Sequence, residues 1–146
     1  MKKKFISLLL IFTLMIGMST AFASTEPEPK ASYYLDSYMV LLTPDGDGEM
    51  TVSFAVFAND RMDKIGINSI TLEEEWTPDD WTRYTRVYGS SDPDVFYSTK
   101  SAQHVGEYTF TNLLPGVRYR ATIVVYAGDS TGSDTGTITS TPKVCK

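Results

Sequence analysis

From Tyr33 onward, apolar residues in this chain recur at every second position, and nowhere does a 3.6-residue apolar period compete. Residues 49–59 put Met50, Val52, Phe54, Val56 and Ala58 on one side and Thr51, Ser53, Ala55 and Phe57 on the other. Residues 117–127 do the same, with Tyr119, Ala121, Ile123, Val125 and Ala127 opposite Arg118, Arg120, Thr122, Val124 and Tyr126. Successive side chains of a strand point to opposite faces, so each segment reads as a strand with one buried face. Helical and alternating helix–strand folds are thereby excluded.

The remaining strands follow from the same alternation and from turn residues. Residues 38–43 form a strand that Thr43-Pro44-Asp45-Gly46-Asp47-Gly48 connects to the next as a hairpin. In 64–76 the apolar phase moves from Ile65 and Ile67 to Ile70 and Leu72, which points to a bulge or a late strand start near Asn68. A turn at 77–80 leads to an aromatic and β-branched strand over 81–88. Residues 89–105 are hardest to read, and a short strand near 95–99 is expected there. Strands over 106–112 and 117–127 and a threonine-rich one over 134–141 complete the chain. About seven short strands separated by turns specify an all-β antiparallel sandwich of two sheets, or a small barrel.

The first 32 residues have a different character. Lys2, Lys3 and Lys4 precede an apolar stretch over 5–18, and Ala21-Phe22-Ala23 offers small residues to a signal peptidase. This core of 14 residues, interrupted only by Ser7, Thr13 and Gly17, is short against the ~20 that span a bilayer. Residues 1–23 therefore read as a cleaved export signal, residues 24–32 as a disordered leader with two prolines, 33–142 as the sandwich, and 143–146 as a C-terminal tail. The expected location is extracellular, with no stable membrane insertion once the signal is removed. The chain of 146 residues has a formal charge of -5. Losing the signal removes three lysines and no acid, so 123 residues with ten basic and eighteen acidic side chains remain, at about -8.

That balance excludes a nucleic-acid binder, which needs a basic surface. The single cysteine, Cys145, excludes an internal disulfide and a thiolate zinc site. Near the chain end and in an oxidising compartment, it is also the one residue through which an otherwise monomeric protein would form a disulfide-linked dimer. No cofactor is implied.

Leu113-Leu114-Pro115-Gly116-Val117-Arg118-Tyr119, followed by alternating small and β-branched residues, resembles the corner between strands E and F of a fibronectin type III domain. The resemblance covers residues 106–141 and extends elsewhere only through strand count. It implies a fibronectin type III-like or immunoglobulin-like sandwich, with the Tyr119 ring in the core, its hydroxyl bonded to upstream backbone, and Pro115 and Gly116 shaping the turn. Phe54 stands where that family commonly has a tryptophan. The implied strand order puts Asp60 and Asp63 in a loop between strands B and C, and brings strands C and F together. The chain is also similar to small secreted proteins of Gram-positive bacteria, a likeness that carries no activity.

Three surfaces are candidates for function. Asp45, Asp47 and Glu49 alternate with glycine and are weak candidates for calcium, although aspartate and glycine are ordinary hairpin residues. Trp76, Trp81 and Tyr84 lie within one hairpin, where aromatic faces stack on sugars or simply cover a sheet edge. Arg118, Arg120 and Tyr126 share a sheet face, with Glu73 and Glu75 placed to pair with the arginines if their strands are neighbours. His104 is the only histidine and has no nucleophile near it in sequence, so no catalytic residue is assigned. The sequence therefore reads as a secreted, non-catalytic binding or structural module for an extracellular protein or glycan. A carbohydrate-binding or calcium-dependent adhesion module is the alternative, and a small secreted hydrolase the last.

Overall fold

The computed structural model describes residues 32–146. The expected signal (1–23), and the leader up to residue 31, lie outside the described residues. Ser32 is tied down, because its Oγ donates to Asp134 (2.5 Å) and accepts from the Leu35 amide (2.7 Å).

The described chain is all-β, a seven-stranded antiparallel sheet that is partly curled. Its strands are β1 (Leu35–Gly46), β2 (Glu49–Thr77), β3 (Asp80–Tyr88), β4 (Tyr97–Phe110), β5 (Arg118–Asp129), β6 (Gly132–Thr139) and β7 (Lys143–Val144). A 3-10 turn at Gly89–Ser91 and a helical turn, α1 (Pro93–Phe96), bridge β3 to β4.

The 29-residue β2 organises everything else. Its first half pairs with β1 on one side (Leu42↔Val52) and β4 on the other (Val52↔Tyr108). Its second half pairs with β3 (Thr71↔Arg86) and β5 (Thr71↔Thr122), and β5 carries β6 and β7. The apolar residues of both halves meet in one core. Met50, Val52 and Val56 from the first half join Ile70 and Leu72 from the second and Tyr119, Ile123 and Val125 from β5, all at 0% exposure. Each such aliphatic side chain contributes about 1.5–3 kcal/mol by leaving water. Phe54 stacks on Phe96 (centroids 6.1 Å apart), so α1 delivers an aromatic plug to the first half of β2.

Two glycines have demanding positions. Asp47 and Gly48, both at positive φ, form the two-residue turn between β1 and β2, the Asp-Gly chemistry of a tight hairpin. Gly48 also accepts from the Leu113 amide (2.9 Å) and donates to the Lys146 carbonyl (3.0 Å). At Gly66, where the halves of β2 join, a Cβ would stand 2.0 Å from the Phe96 carbonyl oxygen.

Several elements differ from the sequence reading. Asp60 and Asp63, placed there in a loop, lie within β2, which runs on past a register shift between Phe57 and Met62. An ion pair from Asp63 to Lys100 and a bond from Arg61 Nε to the Lys100 carbonyl (2.5 Å) hold that stretch to β4. Instead of a strand starting near residue 95, residues 93–96 are helical and β4 runs unbroken from Tyr97. The buried Phe96 forces this, since its ring must leave the strand direction to reach Phe54. The C-terminal four residues are no free tail. Lys143 and Val144 pair with β5, the Cys145 amide donates to Val117 (2.9 Å), and its carbonyl accepts from Gly116 (2.9 Å). The unpaired backbone at residues 116–119 supplies the partners, a requirement that two strand residues do not announce in sequence.

Candidate functional site

The outward side of β3, the second half of β2, β5 and β6 gathers the chain's long polar and aromatic side chains into cross-strand rows. Trp81, Glu75 and Arg118 make one row; Arg83, Glu73 and Arg120 the next; then Arg86, Thr71, Thr122 and Thr139. Tyr88, Ser69, Val124 and Thr137 follow, and Tyr126 stands beside Thr135. Alternation places these residues outward while Ile70, Leu72, Ile123 and Val125 face in.

The rows are held by charge and hydroxyl contacts. Arg120 forms a two-pronged pair with Glu73 (Nε to Oε2 2.9 Å, Nη2 to Oε1 3.3 Å), and Arg118 pairs with Glu75. Thr122 donates to Glu73 (3.4 Å) and shares a hydrogen bond with Thr139 (2.8 Å). Arg86 Nε donates to Thr71 Oγ1 (2.7 Å). The Arg120 guanidinium lies 4.4 Å from the Trp81 ring centroid, within cation–π range. Beyond Tyr126, Lys64 sits 3.6 Å over the Tyr97 ring, whose hydroxyl donates to Asn68 (2.9 Å). Burial, and to a lesser degree Tyr126, push the Tyr97 phenol above its ordinary pKa.

The sequence candidates divide among different places. Arg118, Arg120, Tyr126 and Trp81 share this face, with Glu73 and Glu75 opposite the arginines. Tyr84 does not: it stands edge-on to Tyr119 (5.9 Å), on the inner side. Trp76 is 60% exposed near the β2–β3 turn and Trp81 is half-buried, so the three rings form no continuous row. Tyr119 is buried, and its hydroxyl oxygen accepts from the Leu114 amide (3.2 Å) across the turn at Pro115 and Gly116.

Arg83 and Arg86 complete the face, and Arg86 escapes a reading based on simple alternation. Arg83 stands two residues after Trp81, which alternation puts on the same side, but Arg86 stands five after it, an odd spacing that a regular strand puts on the opposite side. A register shift opposite Leu72 and Glu73 adds a residue at Tyr84 and reverses the parity beyond it.

Asp45, Asp47 and Glu49 are exposed at the β1–β2 hairpin, where Asp45 accepts from Thr51 Oγ1 (2.6 Å). Among the described residues no three acidic, histidine or cysteine side chains are grouped to hold a metal. His104 is 5% exposed and stacks on Phe54 (5.8 Å). Its Nε2 faces the Val95 carbonyl (3.1 Å) and therefore donates, so Nδ1 accepts from Ser98 (3.0 Å). Burial holds this ring below its ordinary pKa despite the carbonyl bond. Both nitrogens are occupied, which leaves no free base. Cys145 is 1% exposed, and burial raises its thiol pKa, so a disulfide to a second copy would require the chain end to leave β5.

A second surface lies on the outward side of β1, the first half of β2, and β4. Ser53 and Ala55 on the middle strand are small, while Met39 and Leu41 on one flank and Val105 on the other are large. The result is an apolar trough of about 510 Å³ with Glu107 at its rim. Met39, Leu41 and Val105 are 60%, 55% and 66% exposed.

No protein-family model matches the chain, and no curated protein matches it. Among solved structures, one similar chain is Spo0M, a sporulation control protein from Bacillus subtilis, at 13% identity and a TM-score of 0.40. The alignment covers 71% of this chain and 48% of that one, so the chain spans about half its length. No helix among the described residues is long and apolar enough to cross a membrane.

Proposed function

We propose that this chain is exported and acts outside the cell as a monomeric, non-catalytic binding module for an extracellular protein or glycan. Its fold in this reading is a fibronectin type III-like or immunoglobulin-like sandwich. One sheet is formed by β1, β4 and the first half of β2, and the other by β3, β5, β6 and the second half. The separate partners of the two halves of β2 and the Tyr119 hydroxyl bond at the Pro115-Gly116 turn support that arrangement. The lysine-flanked apolar stretch ending in Ala21-Phe22-Ala23 supports export.

The binding role rests on one observation: Arg83, Arg86, Arg118 and Arg120 share a sheet face with Trp81, Tyr88 and Tyr126. Arginine and large aromatics are the residues that dominate binding surfaces. Titrating the isotope-labelled exported protein with fractionated cell-envelope material, followed by NMR, tests the assignment. Shifts concentrated on β3 and β5 are expected; shifts confined to β1 and β4 would move the site to the apolar trough. The mass of the exported protein is expected to correspond to a chain beginning at Ser24, and retention of residues 1–23 would end the export reading.

A further inference from the structure

The outer face of β3, β2 and β5 is basic on an acidic chain. Four of the five arginines in the sequence stand there, against two carboxylates in the same rows. Glu73 and Glu75 are taken up by Arg120 and Arg118. Arg83 and Arg86 are exposed and, among the described residues, have no ion-pair partner; Arg86 commits only its Nε, to Thr71. Two guanidinium groups are therefore free on β3, between Trp81 at one end and the 53% exposed Tyr88 at the other.

We propose that this face binds an acidic polysaccharide, with Arg83 and Arg86 gripping its anionic groups and Trp81 and Tyr88 stacking on its sugar rings. The inference rests on the reading of this face as the binding surface. A guanidinium fork matches a carboxylate or sulfate with two parallel bonds, a geometry that a lysine ammonium does not offer. Trp81 and Tyr88 are separated by roughly 20 Å along the strand, a span that suits a short run of sugars. On the far side of the face, Thr135, Thr137 and Thr139 add uncharged hydroxyls. The charge of about -8 on the exported chain does not forbid the contact, because acidic groups beyond about 8–10 Å are largely screened at physiological salt. It does disfavour duplex DNA, whose charge every ~1.7 Å far exceeds what two free arginines neutralise.

Affinity electrophoresis of the exported protein in gels containing polygalacturonate, heparin, dextran or polyglutamate tests the proposal. Retardation by polygalacturonate or heparin is expected; retardation by polygalacturonate shows that carboxylate suffices, and retardation by heparin but not by polygalacturonate identifies sulfate as the preferred anion, since heparin carries both groups. Arg83→Ala with Arg86→Ala is expected to weaken it about ten-fold, the equivalent of one charge-assisted bond. The Arg83→Lys, Arg86→Lys pair keeps the charge and removes the fork, so an intermediate loss is expected; circular dichroism checks that each variant is folded. Equal retardation by dextran that disappears in Trp81→Ala would overturn the anionic ligand and leave the face standing. Retardation by polyglutamate alone, unchanged in Trp81→Ala, would overturn the glycan in favour of an acidic protein. Retardation indifferent to Arg83, Arg86 and Trp81 would remove both the ligand and the face, and none in any gel would remove the ligand class.

Discussion

The two halves of β2 offer the solvent opposite chemistries from one continuous strand. The first half turns out Ser53 and Ala55, small residues overhung by Met39, Leu41 and Val105 from its neighbours. Thr71, Glu73 and Glu75 face out from the second half, and each meets a hydroxyl or guanidinium partner. On the charged half, the carboxylates are taken up by Arg118 and Arg120 within the sheet, while the exposed Arg83 and Arg86 remain on view to a ligand. On the apolar half, large side chains stay exposed although small residues beneath them leave a trough. Inward, both halves are alike, contributing Met50, Val52 and Val56 or Ile65, Ile70 and Leu72 to one core. The fold is therefore specified from inside, which leaves each outer face free to carry its own chemistry.

The sharpest way to break this comparison is at the joint. Gly66 has no room for a methyl group against the Phe96 carbonyl, and the obstacle is backbone that a rotamer change cannot move. Gly66→Ala is expected to cost about 3 kcal/mol or more in urea denaturation, in the range of severe overpacking. Both faces should be lost in a single transition, because they share the core beneath. A loss near 0.5 kcal/mol, or a second transition for one half, would show that the halves do not depend on each other.

Much of this arrangement was legible in the alternation. The inner faces of 49–59 and 117–127, the hairpin at 43–48 and the pairing of Glu73 and Glu75 with arginines all follow from a period of two plus strand adjacency. What escaped has a common physical cause, irregularity within strands. A bulge at Tyr84 reverses parity beyond it and hides Arg86 from the face of Trp81. The register shift between Phe57 and Met62 keeps Asp60 and Asp63 inside β2 when their composition reads as a loop. Phe96 needs the core of a distant strand, so its helical turn has no local signal. The apolar trough depends on side-chain size across three strands, which one strand's pattern does not encode.

Next in size is the charged half. Removing the carboxylate from Glu73 leaves the half-buried Arg120 without its two-pronged partner and frees the Thr122 hydroxyl. Glu73→Gln is expected to cost about 1 kcal/mol, the scale of a partly exposed charge-assisted bond. A double-mutant cycle with Arg120→Met checks that the energy belongs to the pair. A coupling near zero would mean that these rows contribute to recognition alone.

The apolar half responds to acid through His104, which stacks on Phe54 beneath the trough. Burial lowers its folded pKa below the unfolded value near 6.5, so the unfolded chain takes up this proton first. The stability associated with neutral His104 is complete above about pH 6.5 and declines from there toward the folded pKa. Denaturation midpoints are expected to fall between pH 7.5 and 5.5 in the parent and to move less in His104→Gln. A further decline at lower pH is expected as Asp129 and Asp134 protonate. Their hydrogen bonds, from Thr131 and from Ser32 and Tyr34, hold both carboxyls below the ordinary range, so that stability is lost as pH falls through their folded pKa values.

The smallest effect belongs to the rim of the trough, and its smallness is the informative result. Met39 and Leu41 are 60% and 55% exposed, so truncating them returns little area to water. Met39→Thr with Leu41→Thr retains residues that suit a strand and is expected to change stability by about 0.5 kcal/mol or less. The same variant should bind a solvatochromic apolar dye more weakly than the parent, since the walls of the groove are shortened. A cost above about 1.5 kcal/mol would instead indicate side chains packed as in a core. In that event the two outer faces would differ in what covers them, and the apolar one would be a concealed part of the interior.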